Sequence, residues 1–324
     1  MRRILGVVGG LGLAVSVLVA APGPAAGGGR VIKRIAYAPA EPAASKGHLL
    51  DLYLPRRTGK PAPLIIWSHG SGWLSENGRD GADVVAAELN PRGYAVAGVA
   101  IRSSTHAQFP GQLNDIKAAI RFLRANAARF HLDPARIGIM GESSGGWTAA
   151  MAAVTGTGDP ASRVGAAVAF YPPTDFLRMD EAMLGDCRPF NEPFGLTGCH
   201  ADARSPESRL LGHPIGERPD LVAKASPLSY VSPADPPILI LHGRQDTLVP
   251  WQQGRLLYEA AHDATLVLLP NGHHAQWNGF LTDPAISAGA HEWHAGRDRP
   301  VQLSWDYVAG FFDQHLGAGP PPGR

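Results

Sequence analysis

From residue 48 onward the chain alternates short apolar runs with longer amphipathic ones. Leu49–Leu54 alternates apolar and polar positions, as a half-buried strand does. Leu64–Ser68 reads Leu-Ile-Ile-Trp-Ser, a continuous apolar run suited to a strand covered on both faces. Tyr94–Ile101, Ile137–Met140, Val164–Phe170, Ile238–Leu241 and Leu266–Leu269 repeat that signature. Between them lie helical patterns over Asp80–Leu89, Leu113–Arg129, Ser144–Val154 and Gln252–Ala261, with a last one over Leu303–Leu316. In the second of these, Leu113, Ile116, Ile120 and Leu123 fall on one face. Strand–helix alternation with two-faced apolar strands predicts an α/β fold, a mostly parallel central sheet with helices on both faces. The Pro- and Gly-rich stretch from Pro172 to Pro237 breaks the alternation. It predicts an insertion, about residues 174–235, over the active face of one domain spanning 31–317, followed by a flexible tail at 318–324.

Composition narrows this picture by exclusion. Of 324 residues, 29 are basic and 28 acidic, a formal charge of +1. So balanced a surface has no field to gather nucleic acid or an anionic membrane. The 39 glycines and 29 prolines show no collagen-like period and read as many tight turns.

The first 26 residues read as an export signal. Arg2 and Arg3 precede an apolar, glycine-interrupted run from Ile4 to Ala20, and small residues follow up to Ala26. The run is short and weakly apolar for a membrane span, so an uncleaved anchor is the lesser reading. Cleavage removes two of the 29 basic residues and leaves the mature chain near neutrality, secreted and off the membrane. In an oxidising compartment Cys187 and Cys199 read as a disulfide, with free thiols as the alternative. Zinc would need further ligands, and only His200 is adjacent. His291 and His294, in a segment running from Gly279 to Pro300, lack partners at a recognisable metal spacing and read as solvated loop histidines. No metal and no cofactor is expected.

The chemistry concentrates in three places. Gly141-Glu142-Ser143-Ser144-Gly145 matches G-x-S-x-G, follows a strand directly and opens a small-residue helix. That setting is the strained turn that presents a nucleophilic serine, here Ser143, at a helix N-terminus. His69-Gly70-Ser71-Gly72-Trp73 ends the Leu64–Ser68 strand. It resembles the HGGG loop of lipases and esterases, and predicts an oxyanion hole from the amides of Gly70, Ser71 and Gly72 together with that of Ser144. His69 is assigned to holding this loop. Asp246 stands just past the strand Ile238–Leu241, and His273 and His274 follow Leu266–Leu269. The order Ser, Asp, His after successive strands makes Asp246 the acid and one of the two histidines the base.

Together these blocks resemble the α/β-hydrolase superfamily, in its bifunctional feruloyl/acetyl-xylan-esterase-like branch of secreted carboxylesterases. The likeness runs over about residues 46–274. It includes Phe109–Asp115 with Arg121–Arg124, Asp133–Gly138 leading into the Ser143 turn, Ser226-Pro227, and Pro236–Pro250 with Gln253. The resemblance implies an α/β-hydrolase fold and short-chain, acetyl-like ester hydrolysis through an acyl-enzyme. It implies His274 as the base, in a P-N-G-x-H register. The substrate is then a small-molecule or polysaccharide-linked ester. Ser144 stands where relatives often carry alanine, and Trp147 where histidine is common. Trp73 and Trp147 are the candidate substrate-binding side chains; with Trp251 and Trp277 they either narrow the pocket or merely pack. The competing readings are a prolyl-oligopeptidase-like peptidase, for whose propeller this length leaves no room, and an inactive hydrolase fold used as a binding module. A lipase acting at an oil interface fits less well, since the insertion is polar.

Overall fold

The computed structural model describes residues 29–317. The expected signal at 1–26 and the expected tail at 318–324 lie outside the described residues. Among those described, no helix is long and apolar enough to cross a membrane.

Ten strands form one sheet: β1 (Arg30–Ala36), β2 (Leu49–Leu54), β3 (Ala62–Ser68), β4 (Ala95–Val99), β5 (Leu132–Glu142), β6 (Ala166–Phe170), β7 (Ile238–Gly243), β8 (Ala264–Leu269), β9 (His291–His294) and β10 (Arg297–Pro300). Their spatial order is β1-β2-β4-β3-β5-β6-β7-β8-β9-β10. The run from β4 to β8 is parallel, and the flanking pairs at either end are antiparallel. Parallel neighbours need crossovers, which helices provide. They are α1 (Ala82–Leu89), α2 (Gly111–Ala125), α3 (Ala127–Phe130), α4 (Ser144–Thr155), α5 (Arg188–Phe194), α6 (Pro206–Leu211), α7 (Pro219–Ala225), α8 (Gln252–Ala260), α9 (Trp277–Thr282), α10 (Pro284–Ser287) and α11 (Trp305–Leu316).

β3 shows why its residues have no polar face. Leu64 and Ile66 pack with Ile116 and Ile120 of α2 and Met151 of α4 on one side of the sheet. Ile65 and Trp67 pack with Val85 of α1 and Phe312 of α11 on the other. Both layers withdraw apolar surface from water, so every position along the strand must be apolar.

The segment 279–300 is not the solvated loop that its histidines suggest. Residues 291–294 form β9, antiparallel to β8, and 297–300 return as β10. Glu292 points inward, where it accepts hydrogen bonds from Tyr307 Oη at 2.5 Å and Arg299 Nε at 2.9 Å. Four-residue strands reading His-Glu-Trp-His and Arg-Asp-Arg-Pro carry almost no apolar signal, because the last two strands at the rim of a sheet share little of its core. The stretch between β6 and β7 holds three short helices, α5, α6 and α7, and its own small apolar cluster of Phe190, Leu196 and Cys199. Cys187 and Cys199 are joined as a disulfide.

Candidate active site

Every element that carries a candidate functional residue ends on the same side of the sheet, beyond the carboxyl ends of its parallel strands, where open α/β sheets hold their ligands. Ser143 follows β5, the His69–Trp73 loop follows β3, Asp246 follows β7 and His274 follows β8.

Ser143 sits on a turn that only tight packing maintains. Its backbone adopts φ 56° and ψ −124°, a region that costs an ordinary residue about 1–3 kcal/mol. Neighbouring glycines make the turn possible. A Cβ on Gly145 would stand 1.9 Å from the Ser68 carbonyl oxygen, and one on Gly141 would stand 2.4 Å from that of Gly145. α4 starts at the next residue, so its unpaired amides and partial positive charge face the serine.

The three separated residues meet. His274 Nδ1 lies 2.8 Å from Asp246 Oδ2, and Nε2 lies 3.0 Å from Ser143 Oγ. A carboxylate only accepts, so Nδ1 carries a hydrogen and Nε2 is free to accept from the hydroxyl. His273 is exposed, and its backbone amide donates to Gln276 Oε1 instead. Asp246 is wholly buried, and its Oδ1 accepts the amides of Leu248 at 2.9 Å and Val249 at 2.8 Å. Burial pushes this carboxyl up, but the neighbouring His274 and His242 outweigh it and hold it well below the usual aspartate range. Burial likewise pulls His274 down, and the Asp246 charge and hydrogen bond, with the Glu142 charge, raise it above 6.5 on balance.

The loop after β3 is bound differently from the sequence expectation. The Gly70 amide donates to Glu142 Oε1 at 2.6 Å, so it is spent on the carboxylate and is not an oxyanion donor. The Ser71 amide donates to Ser144 Oγ at 2.9 Å. Among the described residues the amides of Gly72 and Ser144 meet no acceptor, and both residues line the cleft around Ser143. His69 Nδ1 lies 2.6 Å from the Gly70 carbonyl oxygen, within the loop it was expected to hold.

The cleft encloses about 300 Å³. Trp73 lines it, as does Trp277, whose ring leans on Trp67 at 4.5 Å. Trp147 does not line it. Its ring is fully buried behind Trp73, edge-on at 5.3 Å, and Nε1 donates to the Ala225 carbonyl at 2.7 Å, tying α4 to α7. A small-residue helix leaves room for one large ring on its inward face, which is where Trp147 goes. Trp251 packs between Arg244 and Arg255, away from the cleft.

Sequence reasoning missed Glu142 and Tyr171. Glu142 holds Gly70, and the Tyr171 hydroxyl hydrogen-bonds to it; burial first, and the Glu142 charge next, push the Tyr171 phenol well above its usual value. The Tyr171 ring lies 4.6 Å from that of His274. A carboxylate beside the nucleophile was a visible signal for Glu142; nothing local marks Tyr171.

Comparison with known proteins adds the family. The BD-FAE family model matches residues 50–261, well over half of the chain. The chain belongs to the BD-FAE family. The match covers β2 through α8, so it takes in Ser143 and Asp246 but stops short of His274. This BD-FAE chain is 31% identical to Esterase LipQ of Mycobacterium tuberculosis over 249 residues, 70% of its own length and 54% of LipQ. It therefore spans about half the length of that curated relative. Among solved structures it resembles a "Truncated form of carbohydrate esterase from gut microbiota" at 29% identity and a TM-score of 0.71, over 91% of this chain and 99% of the other. A "Bifunctional GH43-CE" of Bacteroides eggerthii is 32% identical with a TM-score of 0.64, over 76% of this chain and 36% of that one. The mostly parallel sheet of this BD-FAE chain is that of the α/β-hydrolase structures it resembles.

Proposed function

We propose that this chain is a secreted serine carboxylesterase that hydrolyses short-chain, acetyl-like esters of small molecules or polysaccharides. The observation that carries the reading is the unbroken run of contacts from Asp246 Oδ2 through the His274 ring to Ser143 Oγ at the N-terminus of α4. The esterase names of the relatives support the bond type, and the 300 Å³ cleft supports a short acyl group.

In the proposed reaction His274 Nε2 takes the Ser143 proton as Oγ attacks the ester carbonyl. Asp246 holds the other ring nitrogen and stabilises the imidazolium that forms. The amides of Ser144 and Gly72 face the developing oxyanion, each contributing about 3–4 kcal/mol. The imidazolium protonates the departing alkoxide, leaving an acyl ester on Ser143. Water then attacks the acyl carbon as Nε2 takes its proton, and the imidazolium returns that proton to Ser143 Oγ as the acyl–Oγ bond breaks and the carboxylic acid leaves.

Ser143→Ala tests the reading. It should lower p-nitrophenyl acetate turnover by about a thousandfold or more while leaving the thermal transition intact. Undiminished hydrolysis by a folded variant overturns it. An acetate-to-octanoate series should show kcat/KM highest for acetate to butyrate. Fluorophosphonate labelling separates the esterase from an inactive binding module, which would not react.

A further inference from the structure

The insertion sets a second pair of titratable side chains into the cleft wall, apart from Ser143, His274 and Asp246. His200 follows the disulfide cysteine Cys199, and Glu207 lies in the first turn of α6. His200 is fully buried and Glu207 is 3% exposed, yet both line the cleft. The His200 ring lies on Phe190 at 3.8 Å, and its Nε2 faces the Leu248 carbonyl oxygen at 3.0 Å. A carbonyl only accepts, so Nε2 holds a hydrogen. Nδ1 is thereby turned to Glu207 Oε2 at 3.2 Å. Both of these atoms are buried, and among the described residues neither makes an aligned hydrogen bond. Buried polar atoms in that condition are uncommon and call for a ligand or a functional explanation.

With the His200 ring set against Oε2, the wall does not present a lone carboxylate. An uncharged group that offers hydrogen-bond donors suits such a wall better than a cation does. Phe190 and Phe194 beside it supply apolar faces against which the C–H face of a ring can rest.

We propose that Glu207, held in place by His200, is a specificity-determining residue that accepts a hydrogen bond from a hydroxyl on the alcohol portion of the ester. The favoured substrates are then acyl esters of polyhydroxylated alcohols, such as partly acylated sugars. This rests on the serine-esterase reading and adds an alcohol subsite to it.

The test compares acetylated methyl xyloside bearing free neighbouring hydroxyls with its O-methylated counterpart. The full-length enzyme should favour the free-hydroxyl ester by about ten- to a hundredfold in kcat/KM, mostly through KM. Glu207→Gln and Glu207→Leu should bring that ratio close to one, with p-nitrophenyl acetate turnover of each variant reporting whether the cleft is assembled. If Glu207→Leu does not fold, Glu207→Gln and the wild-type ratio still decide. Equal kcat/KM for the two esters in the wild type, or a ratio unchanged in a folded variant, overturns the proposal. So does a wild-type preference for acetylcholine over its uncharged carbon isostere that Glu207→Gln removes, since that would mark a cation site. Failure of the esterase reading looks different: no ester is turned over, and Ser143 takes no fluorophosphonate.

Discussion

Glu142 reaches across from the turn beside Ser143 to accept the Gly70 amide at 2.6 Å, locking the loop after β3 to the turn after β5. A Cβ on Gly70 would meet the Glu142 carbonyl oxygen at 2.5 Å and the Ser143 Cβ at 2.7 Å, so the two backbones touch where they cross. The same carboxylate contributes to raising His274. It is therefore both a clamp on the loop and part of the field around the proposed base.

That dual position fixes a pH dependence. His274 must be unprotonated to accept the Ser143 proton, so kcat/KM should rise with pH through a midpoint above 6.5. Glu142→Gln keeps an oxygen for Gly70 and removes the charge, so the midpoint should move down. Stability runs the other way. The raised His274 contributes stability that is complete below about pH 6.5 and lost as pH rises through its folded value. A pH–rate profile with a parallel thermal-melt series checks both limbs, and an unmoved midpoint in Glu142→Gln removes the carboxylate from the account.

Asp246→Asn should lower kcat on the order of ten-thousandfold with little change in KM, because an amide can present its N–H to Nδ1 and hold the wrong tautomer. Steady-state kinetics on p-nitrophenyl acetate measure this. A loss below tenfold would leave Asp246 as a structural acid that merely braces Leu248 and Val249.

The paired Cys187→Ser and Cys199→Ser variant should lose about 3 kcal/mol in the chain-entropy account of a 12-residue loop. Phe190 stands on the segment that the bond closes and His200 directly after it, so KM should rise more than kcat falls. Urea denaturation and Michaelis curves report the two effects separately.

Trp147→Phe deletes the bond to the Ala225 carbonyl and leaves that acceptor buried, at a cost of about 1–3 kcal/mol. Its KM should match wild type, since the ring sits behind Trp73. Trp73→Ala, which opens the cleft itself, should raise KM. Equal KM effects from both would return Trp147 to the substrate.

What the sequence discloses follows the range of the interactions. β2 through β8 and the crossover helices α1, α2, α4 and α8 are legible, because burial on two faces writes long apolar runs into the chain. β1, β9, β10 and the six- and seven-residue helices of the insertion are not, since short or marginal elements draw their stability from neighbours distant in sequence. Ser143 and Asp246 stand at fixed offsets from strand ends and can be located by counting. The choice of His274 over His273 needed a family pattern, and in the structure it is His274 whose ring stands between Ser143 and Asp246. The partnership of Glu142 with Gly70 spans 72 positions, and that of Tyr171 with Trp277 spans 106; no local pattern announces either.

The peptide between Leu248 and Val249 gives the Val249 N–H to Asp246 Oδ1, and its carbonyl, that of Leu248, receives Nε2–H from His200. One rigid amide plane thus touches the proposed catalytic acid on one side and the wall of the insertion on the other. Reshaping that wall tilts the plane, and a tilted plane re-aims the acid. A displacement of His200 within the insertion therefore has a route to Ser143 that runs through one peptide unit, Asp246 and His274.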